Sequence, residues 1–304
     1  MTSNIINLQN TPDPDTVTRE EVTFDSDGVR LVGVLFKPKD ASEPLPAAVV
    51  TGAWTTVKEQ MAGTYARELA ARGFAALAFD LSGWGQSEGE PRFVEDHARK
   101  TADIKAATAF LKGRSDIDAD RISGLGVCAS SGYMAEAVAD DPALQRLALV
   151  APWLHNPEMA EAIYGGHETA QSLIAQGRKA ADASEPQIVE AASRTDDTVP
   201  MYQAPYYTEP DRGLIDAYDN KFNLAGWVPW LTYDAQASAD RLDKPVLMVG
   251  SPSIALPAGA AAYEERMTAP LERVWLGEDV VQFDFYDRPD VVTAAADAVA
   301  KHFS

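Results

Sequence analysis

Cys128 is the only cysteine of the chain, and it lies where a short strand gives way to a helical stretch. The sequence around it, Gly124-Leu-Gly-Val-Cys-Ala-Ser-Ser-Gly132, has a small residue two positions before the cysteine and another two positions after it. This spacing is typical of a sharp strand-to-helix turn that exposes a nucleophile, because small neighbours tolerate the strained backbone. The sequence therefore predicts a thiol nucleophile at Cys128 with a positive φ. A buried, inert cysteine at the end of a strand is the alternative.

Strand-like and helix-like stretches alternate along most of the chain. Continuous apolar runs, as expected for parallel strands buried on both faces, occur at 47–51, 74–79, 147–151 and 246–250. Helical patterns follow or precede them at 58–72, 96–112 and 289–303. The alternation predicts an α/β fold with a mostly parallel sheet and helices on both of its faces.

These features resemble the α/β-hydrolase superfamily, and within it the dienelactone hydrolase-like branch in which cysteine replaces serine at the turn. The resemblance also rests on residues 50–61 and, more specifically, on Asp80-Leu-Ser-Gly-Trp-Gly-Gln-Ser87, which is similar to the family's Asp-x-x-Gly-x-Gly-x-Ser turn. It extends from about Glu20 to the end of the chain. It implies the α/β-hydrolase fold and an enzyme with Cys128 at the nucleophile position.

The other two members of a catalytic triad depart from the family pattern. In this fold the acid and the histidine follow two later strands, but residues 251–257 contain no carboxylate and Gln282 occupies the histidine position. Glutamine can hold a substrate or a water molecule, but it cannot accept a proton at useful pH. His155 follows a strand whose carboxyl end should face the active site, so it is the candidate base. A hinge histidine bonded to the backbone is the alternative.

The resemblance also implies an oxyanion hole made of two backbone N–H groups. One should be the N–H of Ala129, directly after the cysteine. The other should come from the loop after the 47–51 strand, where Trp54 is the expected donor and Ala53 its neighbouring alternative. Lys58 and Glu59 follow in this loop, and we expect them to form an ion pair at the surface; an approach of Glu59 to the thiol is the alternative.

The alternation stops between two sheet strands, where α/β-hydrolases carry a cap over the active site. This segment is rich in Tyr, Trp, Pro and Ala. We predict a helical cap over residues 154–233, a core over 17–153 and 234–304, and an N-terminal arm over 1–16. Aromatic side chains of the cap should line a pocket above Cys128. An excursion that packs on the sheet away from any ligand is the alternative.

Composition excludes several classes of partner. The formal net charge of −20 over 304 residues disfavours nucleic acid and anionic membranes. There is no run of 18 apolar residues, and the N-terminus lacks the pattern of a signal peptide, so a cytoplasmic location is predicted. No dinucleotide-binding loop or metal-ligand spacing occurs, so we predict neither a cofactor nor a metal. The expected partner is a small-molecule substrate, and a homodimer is left open.

Three functions agree with these residues. The first is an enzyme acting on an ester, thioester or lactone through Cys128, with an incomplete triad and weak generic esterase activity. The second is a non-hydrolytic enzyme, such as a lyase, isomerase, cyclase or addition catalyst, whose oxyanion hole stabilises an enolate. The third is a ligand-binding protein that has lost its catalytic activity.

Overall fold

The computed structural model describes residues 13–304. Its strands are β1 (Val17–Ser26), β2 (Val29–Pro38), β3 (Leu45–Thr51), β4 (Ala75–Phe79), β5 (Ile117–Val127), β6 (Leu144–Val150), β7 (Ile188–Glu190), β8 (Ala192–Ser193), β9 (Met201–Tyr202), β10 (Lys221–Asn223), β11 (Val246–Gly250) and β12 (Leu271–Trp275). Its α-helices are α1 (Met61–Ala70), α2 (His97–Lys112), α3 (Ser130–Asp140), α4 (Pro157–Ile163), α5 (His167–Ala181), α6 (Pro205–Thr208), α7 (Trp227–Leu231), α8 (Pro257–Arg266), α9 (Asp284–Asp287) and α10 (Pro289–Phe303).

Eight strands form one sheet in the order β1-β2-β4-β3-β5-β6-β11-β12. β2 is antiparallel to both of its neighbours, and every pairing from β4 to β12 is parallel. Every residue of β4 and β11 is buried, as expected for strands with both faces covered. The mostly parallel α/β sheet predicted from the sequence is confirmed.

Helices pack on this sheet in two pairs. α1 contacts α10, and α2 contacts α3. The start of α2 is fixed by Asp96, whose carboxylate accepts hydrogen bonds from the N–H groups of Ala98 and Arg99. α1 and α2 contact β3, and α2 and α3 contact β5. The loops that follow these two strands build the site described below.

The chain between β6 and β11 leaves the main sheet. It contains α4 to α7 and two small two-stranded sheets, β7 with β10 and β8 with β9, which the sequence periodicity does not predict. The predicted cap at 154–233 falls within this segment. The predicted arm at 1–16 lies, up to residue 12, outside the described residues. None of the helices described within residues 13–304 is both long and apolar enough to cross a membrane.

Candidate active site

Cys128 occupies the turn between β5 and α3 with a φ of 57°, the left-handed region that the sequence predicts for it. Its N–H donates to the Val150 carbonyl, and its own carbonyl accepts hydrogen bonds from Ser131 and Trp153, all at 3.0 Å. A Cβ atom on Gly126 would lie 2.6 Å from the Ser130 carbonyl oxygen, so only glycine allows α3 to approach β5 this closely. The neighbouring β6 backbone and this close approach together hold the strained turn.

The Cys128 sulfur is nearly enclosed, since the residue is 8% exposed. Burial raises the pKa of the Cys128 thiol. The neighbouring Tyr286 hydroxyl and the backbone N–H groups of Ala129 and Trp54 oppose that shift and lower the thiol pKa. The thiol is therefore surrounded by neutral donors.

The two backbone donors expected to form the oxyanion hole both reach the sulfur. Ala53, the alternative to Trp54, directs its N–H to the Met61 sulfur at 3.4 Å, so it is not available to a substrate. Backbone N–H groups of Ala129 and Trp54 that meet at one point can stabilise a developing oxyanion there.

A buried carboxylate that the sequence analysis did not single out shapes the Trp54 loop. Glu95 accepts the Thr55 N–H at 2.6 Å, and Thr55 has a φ of 62°. The other carboxylate oxygen of Glu95 pairs with Lys100 at 2.6 Å and accepts the Tyr133 hydroxyl at 3.2 Å. Both charged side chains are buried, so each needs the other's opposite charge to offset its loss of hydration. The pair fixes the conformation of the residue that follows the Trp54 donor.

Lys58 is also buried, contrary to the surface ion pair expected from the sequence. Its ammonium pairs with Asp80 at 2.8 Å and with Glu59 at 2.7 Å, and the Asp80 side chain is fully buried. The expectation failed because Asp80, which is 22 positions away in sequence, folds under the loop and supplies a buried counter-charge. Glu59 is thus held by Lys58.

Gln282 lies in the site at the position where the resemblance implies a histidine, and its side chain is fully engaged. Its Oε1 accepts the Ala255 N–H at 2.9 Å, and its Nε2 donates to the Ala151 carbonyl at 2.9 Å and to the Tyr286 hydroxyl at 3.0 Å. These contacts connect the loop after β6, the loop after β11 and α9. Gln282 therefore joins the elements around the cysteine.

Tyr286 is the residue that sequence reasoning missed. It is 1% exposed, and its ring packs edge-on against Tyr206 and Phe283 at 5.0 and 5.6 Å between centroids. It lies four residues after Gln282, and side chains with this spacing meet across one helical turn. That spacing was the signal available in the sequence.

The candidate base His155 does not fit the geometry. Its Nδ1 accepts the Trp153 indole N–H at 3.1 Å, and its Nε2 donates to the Trp230 carbonyl at 2.9 Å. The residue is 1% exposed, its ring lies 4.4 Å from the Trp230 ring, and burial lowers its pKa to about 4. Both ring nitrogens of His155 are therefore hydrogen bonded within the protein, as expected for a hinge histidine.

A cavity of about 320 Å³ opens onto the sulfur. The core contributes Trp54, Cys128, Ala129, Trp153, Ala255, Gln282, Phe283 and Tyr286 to its lining, and the 154–233 segment contributes Ile163, Tyr164, Pro200, Met201, Tyr202, Ala204, Tyr207 and Trp230. None of these side chains carries a charge, and most of them are aromatic or aliphatic. The cavity suits a neutral, mainly apolar ligand of modest size.

The parallel sheet and the strained turn at the end of β5 define an α/β-hydrolase. Residues 27–253 match the model of the X-Pro dipeptidyl-peptidase (S15 family), and the chain belongs to this family. The α/β-hydrolase superfamily predicted from the sequence is therefore confirmed, and the chain is placed among hydrolase enzymes.

Bacterial relatives cover much of the chain. It is 28% identical over 288 residues to the uncharacterized protein YcjY of Escherichia coli (strain K12). The aligned region covers 89% of this chain and 92% of that protein. It is 32% identical over 219 residues to protein PA2218 of Pseudomonas aeruginosa. That aligned region covers 70% of this chain but only 57% of the relative. The crystal structure of PA2218 matches with a TM-score of 0.81 at 24% identity, over 96% of this chain and 95% of that chain, and so shows the same fold.

A fungal relative has a similar fold. Polyketide transferase grgF of a Penicillium species is 27% identical over 195 residues, which cover 64% of this chain and 59% of that protein. The crystal structure of the α/β hydrolase GrgF has a TM-score of 0.75 at 20% identity, over 94% of this chain and 99% of that chain. The two chains therefore share a fold.

Proposed function

We propose that this protein transfers acyl groups from an ester, thioester or lactone, with Cys128 as the nucleophile. One observation carries the proposal: the sulfur sits on a positive-φ turn, in contact with two backbone N–H groups, at the floor of an apolar cavity. The attacking sulfur and the oxyanion donors of a tetrahedral intermediate are therefore already together. Trp54 and Ala129 supply those donors.

Hydrolysis of the resulting acyl-enzyme should be slow. Gln282 cannot accept a proton, and His155 is closed off by its own hydrogen bonds. General-base assistance contributes roughly 10²–10⁴ in rate, which is the deficit expected for the attack of water. Acyl transfer to a second bound molecule would avoid this deficit if that molecule is a better nucleophile than water. The name polyketide transferase given to the relative grgF supports such a transfer.

The cavity indicates the class of acyl group. Its side chains are uncharged, and Trp153, Tyr164, Tyr207 and Trp230 present aromatic surface to any ligand. A charged acyl group would lose its hydration without gaining a partner there. We therefore propose a short, neutral, apolar acyl chain as the group bound next to Cys128.

A non-hydrolytic reaction is the second candidate, and the chemistry of the donors is compatible with it. Neutral donors surround the sulfur and would equally stabilise an enolate oxygen, as a lyase, isomerase, cyclase or addition catalyst requires. In that case Cys128 occupies the nucleophile position without forming a bond to the substrate. A protein that only binds a ligand would catalyse neither acyl transfer nor a reaction through an enolate.

Release of 4-nitrophenol from 4-nitrophenyl butyrate distinguishes these functions. The proposal predicts a rapid burst of about one equivalent per protein, followed by a slow phase, because acylation outpaces deacylation. The Cys128→Ala variant should show no burst. Fast, linear turnover that survives in Cys128→Ala would contradict the proposal, as would the absence of any reaction in the wild-type protein.

A further inference from the structure

We propose that Tyr286 is the proton-transfer residue of this site, passing a proton between the Cys128 sulfur and the leaving group where other triads use histidine. The inference rests on the proposed acyl transfer at Cys128. It adds a catalytic residue that no triad position predicts, because Tyr286 lies four residues beyond the histidine position.

The hydrogen-bond network directs the Tyr286 proton. A phenol has one proton and two acceptor sites. Gln282 Nε2 donates to the Tyr286 oxygen at 3.0 Å, which uses one acceptor site. The phenol's own proton is therefore free to point into the cavity, whose lining Tyr286 shares with Cys128. One acceptor site stays available for the proton of the thiol.

Gln282 is held in the orientation that this network requires. Its Oε1 accepts the Ala255 N–H and its Nε2 also donates to the Ala151 carbonyl, so the amide cannot rotate without breaking both contacts. The phenol ring is wedged between Tyr206 and Phe283. The hydroxyl is therefore fixed beside the sulfur, at the wall of the cavity where a substrate would lie.

The proposed step balances without a charged base. When a thioester acylates the enzyme, the bond between the Cys128 sulfur and the carbonyl carbon forms, and the bond from that carbon to the leaving sulfur breaks. The thiol proton passes from Cys128 to the Tyr286 oxygen while the phenol's own proton passes to the leaving sulfur. Tyr286 ends as a neutral phenol, and the leaving group departs as a neutral thiol.

A neutral relay agrees with the surroundings. Burial holds the pKa of the Tyr286 phenol well above its ordinary value, so a free phenolate base does not form at neutral pH. Two other tyrosine hydroxyls at the cavity hold hydrogen bonds of their own: Tyr164 accepts the Trp230 indole N–H at 2.8 Å, and Tyr202 accepts the Gln203 amide at 2.9 Å. Tyr286 is the hydroxyl that is placed against the reacting sulfur.

The dependence on the leaving group tests this role. The rate of acyl-enzyme formation is measured by rapid quench and intact mass, with butyryl thioesters of N-acetylcysteamine and of 4-nitrothiophenol. The alkyl thiol needs a proton in order to leave, and the aryl thiolate leaves without one. Tyr286→Phe should slow acylation by the alkyl thioester about 10²-fold. The loss of rate with the aryl thioester should be at least about tenfold smaller.

Tyr263→Phe is the matched control, because it deletes a buried hydroxyl that bonds Ser238 at 2.8 Å and is not part of the cavity. It should leave both acylation rates unchanged. Equal losses with the two thioesters in Tyr286→Phe would show a structural role and overturn the relay, and so would the absence of any loss. If the wild-type protein is acylated by neither thioester, the proposed acyl transfer itself fails, and the relay falls with it.

A proton inventory on the wild-type enzyme tests the same step without a variant. Two protons move in the relay, so the alkyl-thioester rate should curve downward as D₂O replaces H₂O. A straight line, which indicates one proton in flight, would contradict the relay even if Tyr286→Phe did not fold.

Discussion

Replacing Gln282 by histidine would place the usual residue type at the histidine position of the triad. We nevertheless expect this change to destabilise the fold and to create little esterase activity. Gln282 makes three buried hydrogen bonds, to Ala255, Ala151 and Tyr286. An imidazole has two ring nitrogens, so at least one of these partners is left without a bond. A buried polar group in that condition costs about 1–3 kcal/mol, which is the expected decrease in the free energy of unfolding.

The new imidazole would also have no acid to orient it. Ser251 and Ser253, which follow β11 where the family carries its acid, donate their hydroxyls to the carbonyls of Val280 and Glu278 at 2.5 and 2.7 Å. An unoriented histidine is a poor general base. We therefore expect less than about a tenfold gain in kcat/KM, against the 10²–10⁴ that a working base supplies.

Two measurements check this prediction. Urea unfolding of wild type and Gln282→His gives the change in stability, and hydrolysis of 4-nitrophenyl butyrate gives kcat/KM. Gln282→Asn is a matched control, since it keeps the amide but shortens it and should lose stability without any change in the available bases. A gain of 10²-fold or more in Gln282→His would refute the reasoning, because it would show that the site already holds a means of orienting an imidazole.

Three further outcomes follow from the buried groups. Burial lowers the pKa of His155 from 6.5 to about 4. As the pH falls from 6.5 to about 4, His155 therefore binds a proton in the unfolded chain before it does so in the folded protein. Stability should then drop by about 3 kcal/mol between these pH values, and His155→Gln should flatten that part of a urea-unfolding profile. Glu95→Gln or Lys100→Met alone should each cost about 3–5 kcal/mol by stranding a buried charge, whereas the double variant should lose less than the sum; additive losses would contradict the pairing. Because burial raises the pKa of the Cys128 thiol from 9.0, its alkylation by iodoacetamide should still be accelerating with pH at pH 9, and a plateau near neutrality would reveal a stable thiolate.

The sequence predicts those parts of the site that depend on local geometry. The turn at Cys128 needs Gly126 because α3 crosses β5 at close range, and that constraint is visible in the spacing of small residues. The Ala129 donor follows from the same turn. The alternation of apolar runs likewise predicts the parallel sheet, because strands buried on both faces must be continuously apolar.

Contacts between distant segments could not be predicted in this way. The imidazole of His155 turns toward Trp230, which is 75 positions away, so its place after β6 gives no information on its direction. Lys58 is buried because Asp80 lies beneath it. The role of Glu95 depends on a loop 40 positions earlier in the chain. Each of these orientations is decided by tertiary packing.

Peptide mass mapping after incubation with the butyryl thioester of N-acetylcysteamine tests the central claim most directly. One butyryl group is expected on the peptide that contains Cys128. The adduct should persist because no base in the site activates water, and Cys128→Ala should carry none. Acylation of a different residue, or rapid thioester turnover by Cys128→Ala, would contradict the account.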